Sequence, residues 1–367
     1  MTYDLSFQND QLRITIDLKQ IQKNYKEFCN VTQGKVGYVC KANSYSLGAV
    51  PVAKSIYQSG CRTFFVATTQ EGIYIRESLP KDAIIYILHG PDPSDLDKLI
   101  QHNLIPVLNN LHQAELWSKK SKVDQNLKAA LHFDTGMNRL GFSLKDMNEI
   151  KIINKNIEIV HVMSHLACAS DLDSPYNLEQ KERFKSVLDA FPNTETSLVA
   201  AEGVSLGSNY YYDMARVGIG LYGVLPYEEG TINNKLDLAF LPQAKIIQTR
   251  EIEIGESVGY GRSFIAKEKT RIAVIGIGFA DGLPRDASNS ACVYIEKYKA
   301  PIIGRVSMDL SVIDVTKIPE SVSDIGNWVN IVQDSATFND LSKKSGRSIY
   351  ELMALFTGVR YNRIYKN

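Results

Sequence analysis

Arg216-Val217-Gly218-Ile219-Gly220-Leu221-Tyr222-Gly223 is the stretch on which the fold turns. Its glycines follow a short apolar run with the G-x-G-x-x-G spacing of a dinucleotide-binding turn. Such a turn belongs to the first βα unit of its domain. Here seven strand-like runs come before it: residues 36–40, then segments centred on Phe64, Ile84, Pro106, Ala129, Val160 and Leu198. The run through Ala215 is therefore the eighth, and Pro226 interrupts the helix that a dinucleotide turn would open. What survives is the physics of glycine, whose backbone amides can approach and cradle a phosphate. A phosphate site after the seventh and eighth strands is a habit of closed barrels.

Working outward, helical periodicity fills several of the gaps between these runs. Leu18, Ile21, Tyr25 and Phe28 fall three or four apart, as do Val50, Ala53 and Ile56, and Phe184, Val187 and Leu188 cluster similarly. Strand and helix alternating eight times, with near-continuous apolar strands, is the pattern of a parallel sheet covered on its outer face. The expected fold is an α/β (β/α)8 TIM-type barrel, with an open doubly wound sheet as the structural rival. After Pro226 the rhythm changes. Segments 244–252, 271–275, 291–295, 301–306, 311–315 and 328–332 are strand-like and separated by Gly, Asp, Ser and Pro clusters, with no long helical pattern until the last thirty residues or so. The expected organisation is a barrel over residues 1–230 and a mostly β domain over 231–367, the boundary lying in the polar stretch 227–234. Residues 1–11 are free to pair with the β-domain.

The 367 residues carry 41 Lys+Arg and 41 Asp+Glu, a formal net charge of zero. That argues against a nucleic-acid sleeve or a polybasic membrane anchor, both of which need excess positive charge. Five cysteines with no C-x-x-C pair suggest neither a disulfide framework nor a zinc ribbon. No apolar stretch nears the ~18 residues of a membrane span. A cytoplasmic protein with reduced thiols and no metal is expected.

In a parallel barrel the reactive groups sit at the C-terminal ends of the strands. Lys41 follows the first run, Arg139 follows the strand through Ala129, His165 ends the strand through Val160, and Arg216 ends the eighth. A lysine directly after a buried strand can lose ammonium hydration and bond a carbonyl, including the aldehyde of pyridoxal phosphate. Taken alone, Lys41 reads more simply as a rim lysine whose stem lies along the barrel edge.

Lys41-Ala42-Asn43-Ser44-Tyr45 resembles the cofactor-lysine motif of the pyridoxal-phosphate-dependent alanine racemases. Asp134-Thr135-Gly136-Met137-Asn138-Arg139-Leu140-Gly141 resembles that family's arginine motif, and Ser164-His165-Leu166-Ala167 its histidine motif. The opening stretch is similar to its cofactor-binding turn. Val258-Gly259-Tyr260-Gly261 and Gly304-Arg305-Val306-Ser307-Met308-Asp309 are similar to its two β-domain motifs. These motifs keep the family's order across nearly the whole chain.

The resemblance implies a racemase that binds pyridoxal 5'-phosphate through Lys41 and interconverts L- and D-alanine, with Lys41 and Tyr260 as acid and base on opposite faces of the substrate. It implies a head-to-tail homodimer, because the family's tyrosine reaches the partner's site. Tyr260 would be linked through His165 to Arg216, which faces the pyridine nitrogen. The phosphate would be held by Tyr45, the amides of Gly218 and Ile219, and Tyr350. The substrate carboxylate would meet the Met308 amide and Arg139, which also approaches the cofactor's phenolic oxygen. The implied role is supplying D-alanine for bacterial cell wall.

Four departures from the family fall near this site. Ser46 and Leu47 replace a Gly-His pair, Ala200-Ala201 replaces an Asn-Ser pair whose hydroxyl helps hold the phosphate, and His132 stands where many members carry a carbamylated lysine that orients the arginine. Phe279 replaces a tyrosine near the substrate entry, which makes the entrance more apolar. These changes suggest looser substrate choice or weaker turnover with alanine. The rival readings are a broader-specificity racemase, a lyase or decarboxylase on the same fold, a single-domain pyridoxal-phosphate-binding protein, and a dehydrogenase. Cys292 sits in no decarboxylase motif, and Tyr260 in a β-domain argues against the single-domain protein. The dehydrogenase rests only on the glycine spacing.

Overall fold

The computed structural model describes residues 10–124, 126–226, 232, 235–356 and 360–367. Strand β1 (Leu12–Asp17) alternates buried and half-buried side chains, and helix α1 (Leu18–Thr32) follows at once. Asp17 caps α1, its carboxylate accepting from the Gln20 amide at 2.8 Å. The helix buries Leu18, Ile21, Tyr25 and Phe28, the face its periodicity predicts.

Eight parallel strands come next: β2 (Lys35–Val39), β3 (Thr63–Val66), β4 (Ile84–Ile87), β5 (Ile105–Leu108), β6 (Lys128–His132), β7 (Glu158–Met163), β8 (Glu195–Ser197) and β9 (Met214–Val217). Their spatial order is β8-β7-β6-β5-β4-β3-β2-β9. Closure between β8 and β9 is lighter, through an Ala200–Arg216 bridge and bonds from Arg216 N to Val199 O (3.0 Å) and Asp213 N to Thr196 O (3.2 Å). This is the expected barrel, not the doubly wound sheet. Leu198, taken as the centre of a strand, lies just past the end of β8.

Successive strand residues point to opposite faces. Phe65, Tyr86, Ile105, Val107, Ala130, Met163 and Met214 consequently form one apolar cluster inside the barrel. Their neighbours in sequence, among them Phe64, Ile85, Leu131, Val162 and Ala215, join the larger core that includes α1. Gly37 makes room inside: a Cβ there would come within 2.6 Å of the Phe65 ring and 2.8 Å of Met214 sulfur.

The remaining strands are β10 (Phe240–Ile252), β11 (Ser257–Val258), β12 (Phe264–Ile265), β13 (Thr270–Ile275), β14 (Cys292–Ile295), β15 (Tyr298–Ile303), β16 (Ser311–Asp314), β17 (Trp328–Asn330) and β18 (Asn362–Lys366). They form a sheet in the order β13-β16-β15-β14-β17-β10-β1-β18, while β11 and β12 pair separately. The strand expected over 301–306 begins earlier, because Tyr298–Ile303 is the return arm of a hairpin with β14. Strand β1 lies antiparallel to β10 and parallel to β18, so both ends of the described chain are sewn into this sheet. Gln11 extends the contact, its carbonyl accepting from Lys245 N at 2.9 Å. Residues 1–9, and the expected boundary 227–234 apart from Ile232, lie outside the described residues. Helices Ser335–Ser345 and Ile349–Leu355 fall in the C-terminal region where helical periodicity returns. No described helix is long and apolar enough to cross a membrane.

Candidate active site

Lys41 emerges just beyond β2, and the chain then takes an unusual course. Ala42, Asn43, Ser44, Tyr45 and Ser46 all adopt left-handed backbone conformations, with φ of 52°, 55°, 55°, 52° and 78°. Non-glycine residues enter that region reluctantly. Asn43 fastens the turn to the following helix, its side-chain oxygen accepting from Ala49 N at 2.7 Å. The Tyr38 hydroxyl donates to Ser44 Oγ at 2.7 Å, and the Tyr38 and Tyr222 hydroxyls meet at 2.7 Å. From the far end of the chain, Arg363 Nε donates to Ser46 O (2.9 Å) and the Tyr365 hydroxyl to Leu47 O (3.0 Å). The positive φ at Ser46 accounts for a glycine at that position in the family; here serine takes the conformation under the hold of Arg363.

Lys41, Arg139, His132, His165 and Arg216 gather at the C-terminal mouth. The Lys41 ammonium is pushed below its ordinary range by burial first and by the Arg139 charge second, with Glu71 opposing. Glu71 also secures the loop, accepting from the Ala42 and Ala67 amides at 2.7 Å each. His165 is held well below the usual imidazole range by burial, then by Arg216, Arg139, His132 and Lys41. Arg216 is buried and reaches Ser197 Oγ, Ser164 O, Leu198 O and His165 Nδ1. Burial lowers its guanidinium to about 10, so it stays charged near neutrality.

His132 is neutral near neutrality, pushed down to about 4 by burial and by Arg216. Its tautomer follows from Asn109. The Asn109 amide nitrogen donates to Leu88 O (3.1 Å) and Val107 O (2.8 Å), so its oxygen faces His132 Nδ1 at 2.9 Å as an acceptor. His132 therefore carries its proton on Nδ1 and leaves Nε2 as a bare lone pair.

Around Gly218 the chain forms a small cradle. A Cβ on Gly218 would lie 2.3 Å from the Tyr45 hydroxyl, so only glycine allows that approach. Tyr45 packs on Tyr222 and Tyr350 with ring centroids 5.8 and 6.5 Å apart. Ile219 opens the short turn Ile219–Tyr222 that follows. Gly220 packs against Ala201, whose Cβ would be 3.0 Å from an added Cβ, which suits the small residue found there. The Tyr350 hydroxyl bonds to the Glu202 carboxyl, a half-buried acid that sequence reading did not single out. Asn109, Ser197 and Glu71 also went unnoticed, because each acts through a neighbour it meets only in the folded barrel. Two guanidinium groups, a lysine inclined to lose its proton and a glycine cradle edged by phenols suit an anionic ligand bearing a carbonyl carbon.

The β-domain candidates lie exposed on a single copy of the chain. Tyr260 is 72 % exposed, Met308 56 % and Phe279 41 %. Phe279 N donates to Ser307 O and Ala280 N to Met308 O, each at 3.0 Å, and Gly304 packs against Val258. Tyr260, Phe279 and Met308 thus lie on adjoining loops.

Two family models match the chain: alanine racemase, N-terminal domain, over residues 16–226, and alanine racemase, C-terminal domain, over residues 239–365. An alanine racemase of Rickettsia rickettsii is 38% identical over 359 residues, covering 96% of this chain and 98% of the relative. A catabolic alanine racemase of Rhizobium johnstonii is 37% identical over 358 residues, covering 96% and 94%. The crystal structure of alanine racemase from Bartonella henselae with covalently bound pyridoxal phosphate matches with a TM-score of 0.91 at 34% identity, over 97% of this chain and 99% of that one. With the lysine, arginine and histidine motifs at one barrel mouth and both family models matched in order, the chain belongs to the alanine racemase family.

Proposed function

We propose that this protein interconverts L- and D-alanine, using pyridoxal 5'-phosphate bound at the C-terminal mouth of the barrel. The observation that carries the reading is the convergence of Lys41, Arg139, His165 and Arg216 at one barrel mouth, where the Arg139 charge acts on Lys41 and the charges of Arg216, Arg139 and Lys41 act on His165. When bound, the cofactor acidifies the substrate Cα–H by drawing its electrons away.

The chain's own groups do the rest. Lys41, with its lowered proton affinity, would hold the cofactor through its aldehyde carbon and, once the substrate amine takes its place and frees its own amine, would hold or accept the proton on one face of the substrate. Tyr45, the amides of Gly218 and Ile219, and Tyr350 would hold the phosphate. Arg139, with the Met308 amide of a second copy of the chain, would orient the substrate carboxylate. Arg216 would hold the pyridine nitrogen, and a guanidinium that keeps its proton cannot pass it to that nitrogen. Protonation is thereby directed to Cα.

On the opposite face we assign Tyr260 from a second copy of the chain. A free tyrosine has a pKa of ~10, so it needs a donor to its oxygen to act as a base. His165 fits, since its Nδ1 is taken by Arg216 and its proton must sit on Nε2. The exposed, adjoining Tyr260, Phe279 and Met308 support a head-to-tail homodimer, as isolated surfaces seldom leave such groups clustered and uncovered. All five cysteines are unpaired, in keeping with a cytoplasmic location.

Phe279 keeps a second reading alive, a broader-specificity racemase, because it presents an apolar ring at this face. Purified protein with pyridoxal phosphate and a panel of L-amino acids in deuterated water separates the outcomes. Deuteration with inversion supports a racemase, and its restriction to alanine would exclude the broader reading. Release of CO2 or a keto acid would replace both with a decarboxylase or lyase.

A further inference from the structure

The alternation of side chains along the barrel strands places a line of polar groups inside it. Lys35 starts β2, Glu195 starts β8, His161 lies within β7, and Ser197 and Arg216 lie higher on β8 and β9. His161 is fully buried, packed against Phe65 and Tyr86 with ring centroids 6.3 and 5.5 Å away. Both of its nitrogens are engaged: Nδ1 lies 3.2 Å from Glu195 Oε2, and Nε2 lies 2.7 Å from Ser197 Oγ. Arg216 Nη1 donates to the same Ser197 oxygen. On the floor, Lys35 Nζ lies 2.6 Å from Glu195 Oε1.

Donor and acceptor chemistry gives this line one direction. A guanidinium only donates. Ser197 Oγ therefore accepts from Arg216. At the other end the Glu195 carboxylate only accepts, so His161 carries its proton on Nδ1, and the neutral ring's bare Nε2 takes the Ser197 hydroxyl proton. Arg216 makes every other contact to a neutral acceptor: Ser164 O, Leu198 O and His165 Nδ1. Among the described residues no carboxylate pairs with it directly, and a buried cation without compensation is costly.

We propose that Glu195, His161 and Ser197 form a hydrogen-bond line that positions the Arg216 guanidinium and supplies its counter-charge from the floor of the barrel. Hydrogen bonds in such a chain polarise one another, so the carboxylate makes Ser197 Oγ a stronger acceptor for Arg216. The groups acting on His161 are consistent with a neutral ring. Burial lowers its proton affinity, Arg216 lowers it further, and Glu195 and Asp213 oppose; Tyr86 meets it as a ring. Burial would raise Glu195, but hydrogen bonds from His161 and Lys35 hold it below the usual range as a carboxylate.

The test uses full-length protein and two substitutions at opposite ends of one ion pair. Glu195→Gln keeps an oxygen for His161 Nδ1–H and removes the charge; Lys35→Met removes only the exposed cation. An ion pair that merely ties β2 to β8 would be hit alike by both. The line instead predicts that Glu195→Gln lowers kcat by about tenfold with KM changed less than about twofold, while Lys35→Met stays within about twofold of the parent in both. Equal losses, or an unchanged kcat in Glu195→Gln, would overturn the proposal. This kinetic arm rests on the racemase reading. A second arm does not: 15N-histidine spectra of the cofactor-free protein at pH 7 should show His161 as the Nδ1–H tautomer. The signal is assigned by its loss in His161→Phe, or by its selective shift in Glu195→Gln where the former does not fold. A proton on Nε2, or an imidazolium, would refute the line whatever the activity.

Discussion

Arg216 Nη2 and His165 Nδ1 lie 3.4 Å apart, and because a guanidinium has no lone pair to offer, this contact decides where His165 keeps its proton. Nδ1 accepts, so Nε2 carries the hydrogen. The family resemblance implies a linkage of these residues without a direction; the geometry makes His165 a neutral donor at the mouth, kept neutral by burial and the surrounding cations.

His165→Gln retains a neutral donor, whereas His165→Leu does not. Gln at this position should keep a measurable fraction of kcat, and Leu should lose about 100-fold, a typical contribution from a group assisting proton transfer. The ratio of the two, measured from the L and D directions separately, checks the assignment. Equal losses would deny His165 a donor role.

Mixed dimers test whether Tyr260 works across subunits. Lys41→Ala and Tyr260→Phe variants should each be nearly inactive. If each site combines Lys41 of one copy with Tyr260 of another, unfolding and refolding the two together restores roughly a quarter of parental activity, since half the dimers are mixed and half of their sites intact. A tyrosine acting within its own chain would give no recovery.

Removing Arg139 should make Lys41 a stronger base. The Arg139 charge is the second cause, after burial, of the lysine's lowered proton affinity. In Arg139→Gln the pH at which cofactor-free protein captures pyridoxal phosphate, followed by visible absorbance, should move upward. With burial unchanged, the shift should leave Lys41 still below a solvent-exposed lysine. A downward shift would contradict the placement of Arg139 beside the amine.

Acid should weaken the fold through its buried histidines. For His132 the folded value of about 4 lies below the unfolded 6.5. Between these the unfolded chain binds more protons, so stability rises with pH and is lost as pH falls from about 6.5 toward 4. At pH 5 the loss for this one residue is about 2 kcal/mol. His132→Gln, which cannot take up a proton, should show a smaller fall in Tm between pH 7 and pH 5 than the parent, measured by calorimetry.

How much of this was legible before folding depended on whether local pattern and final role coincide. The runs at Phe64, Ile84 and Ala129 are apolar because they lie between barrel interior and helices, and they read as strands. Strands β1 and β18 pair with each other from opposite ends of the chain, and no local window reveals that partnership. Lys41, Arg139, His165 and Arg216 stood out because each follows or ends a strand. His161 did not, since a polar residue in an apolar strand gains meaning only once β8 and β9 bring Glu195, Ser197 and Arg216 to it. The protonation of His132 was open for the same reason: Asn109, beyond the end of the neighbouring strand, decides it.

The left-handed turn after Lys41 has a consequence for synthesis. Each non-glycine residue in that conformation costs on the order of 1–2 kcal/mol, and the turn is held by Arg363 and Tyr365, which are made 317 and 318 residues after the positions they bond. All eight barrel strands are made long before those two clamps exist. A nascent chain stalled short of β18 should therefore carry its barrel yet fail to trap pyridoxal phosphate, so that capture of the cofactor reports that both the barrel and the β-domain have been made. Stalled chains ending before and after Tyr365, compared for cofactor retention, would show whether β18 closes the site that β2 begins.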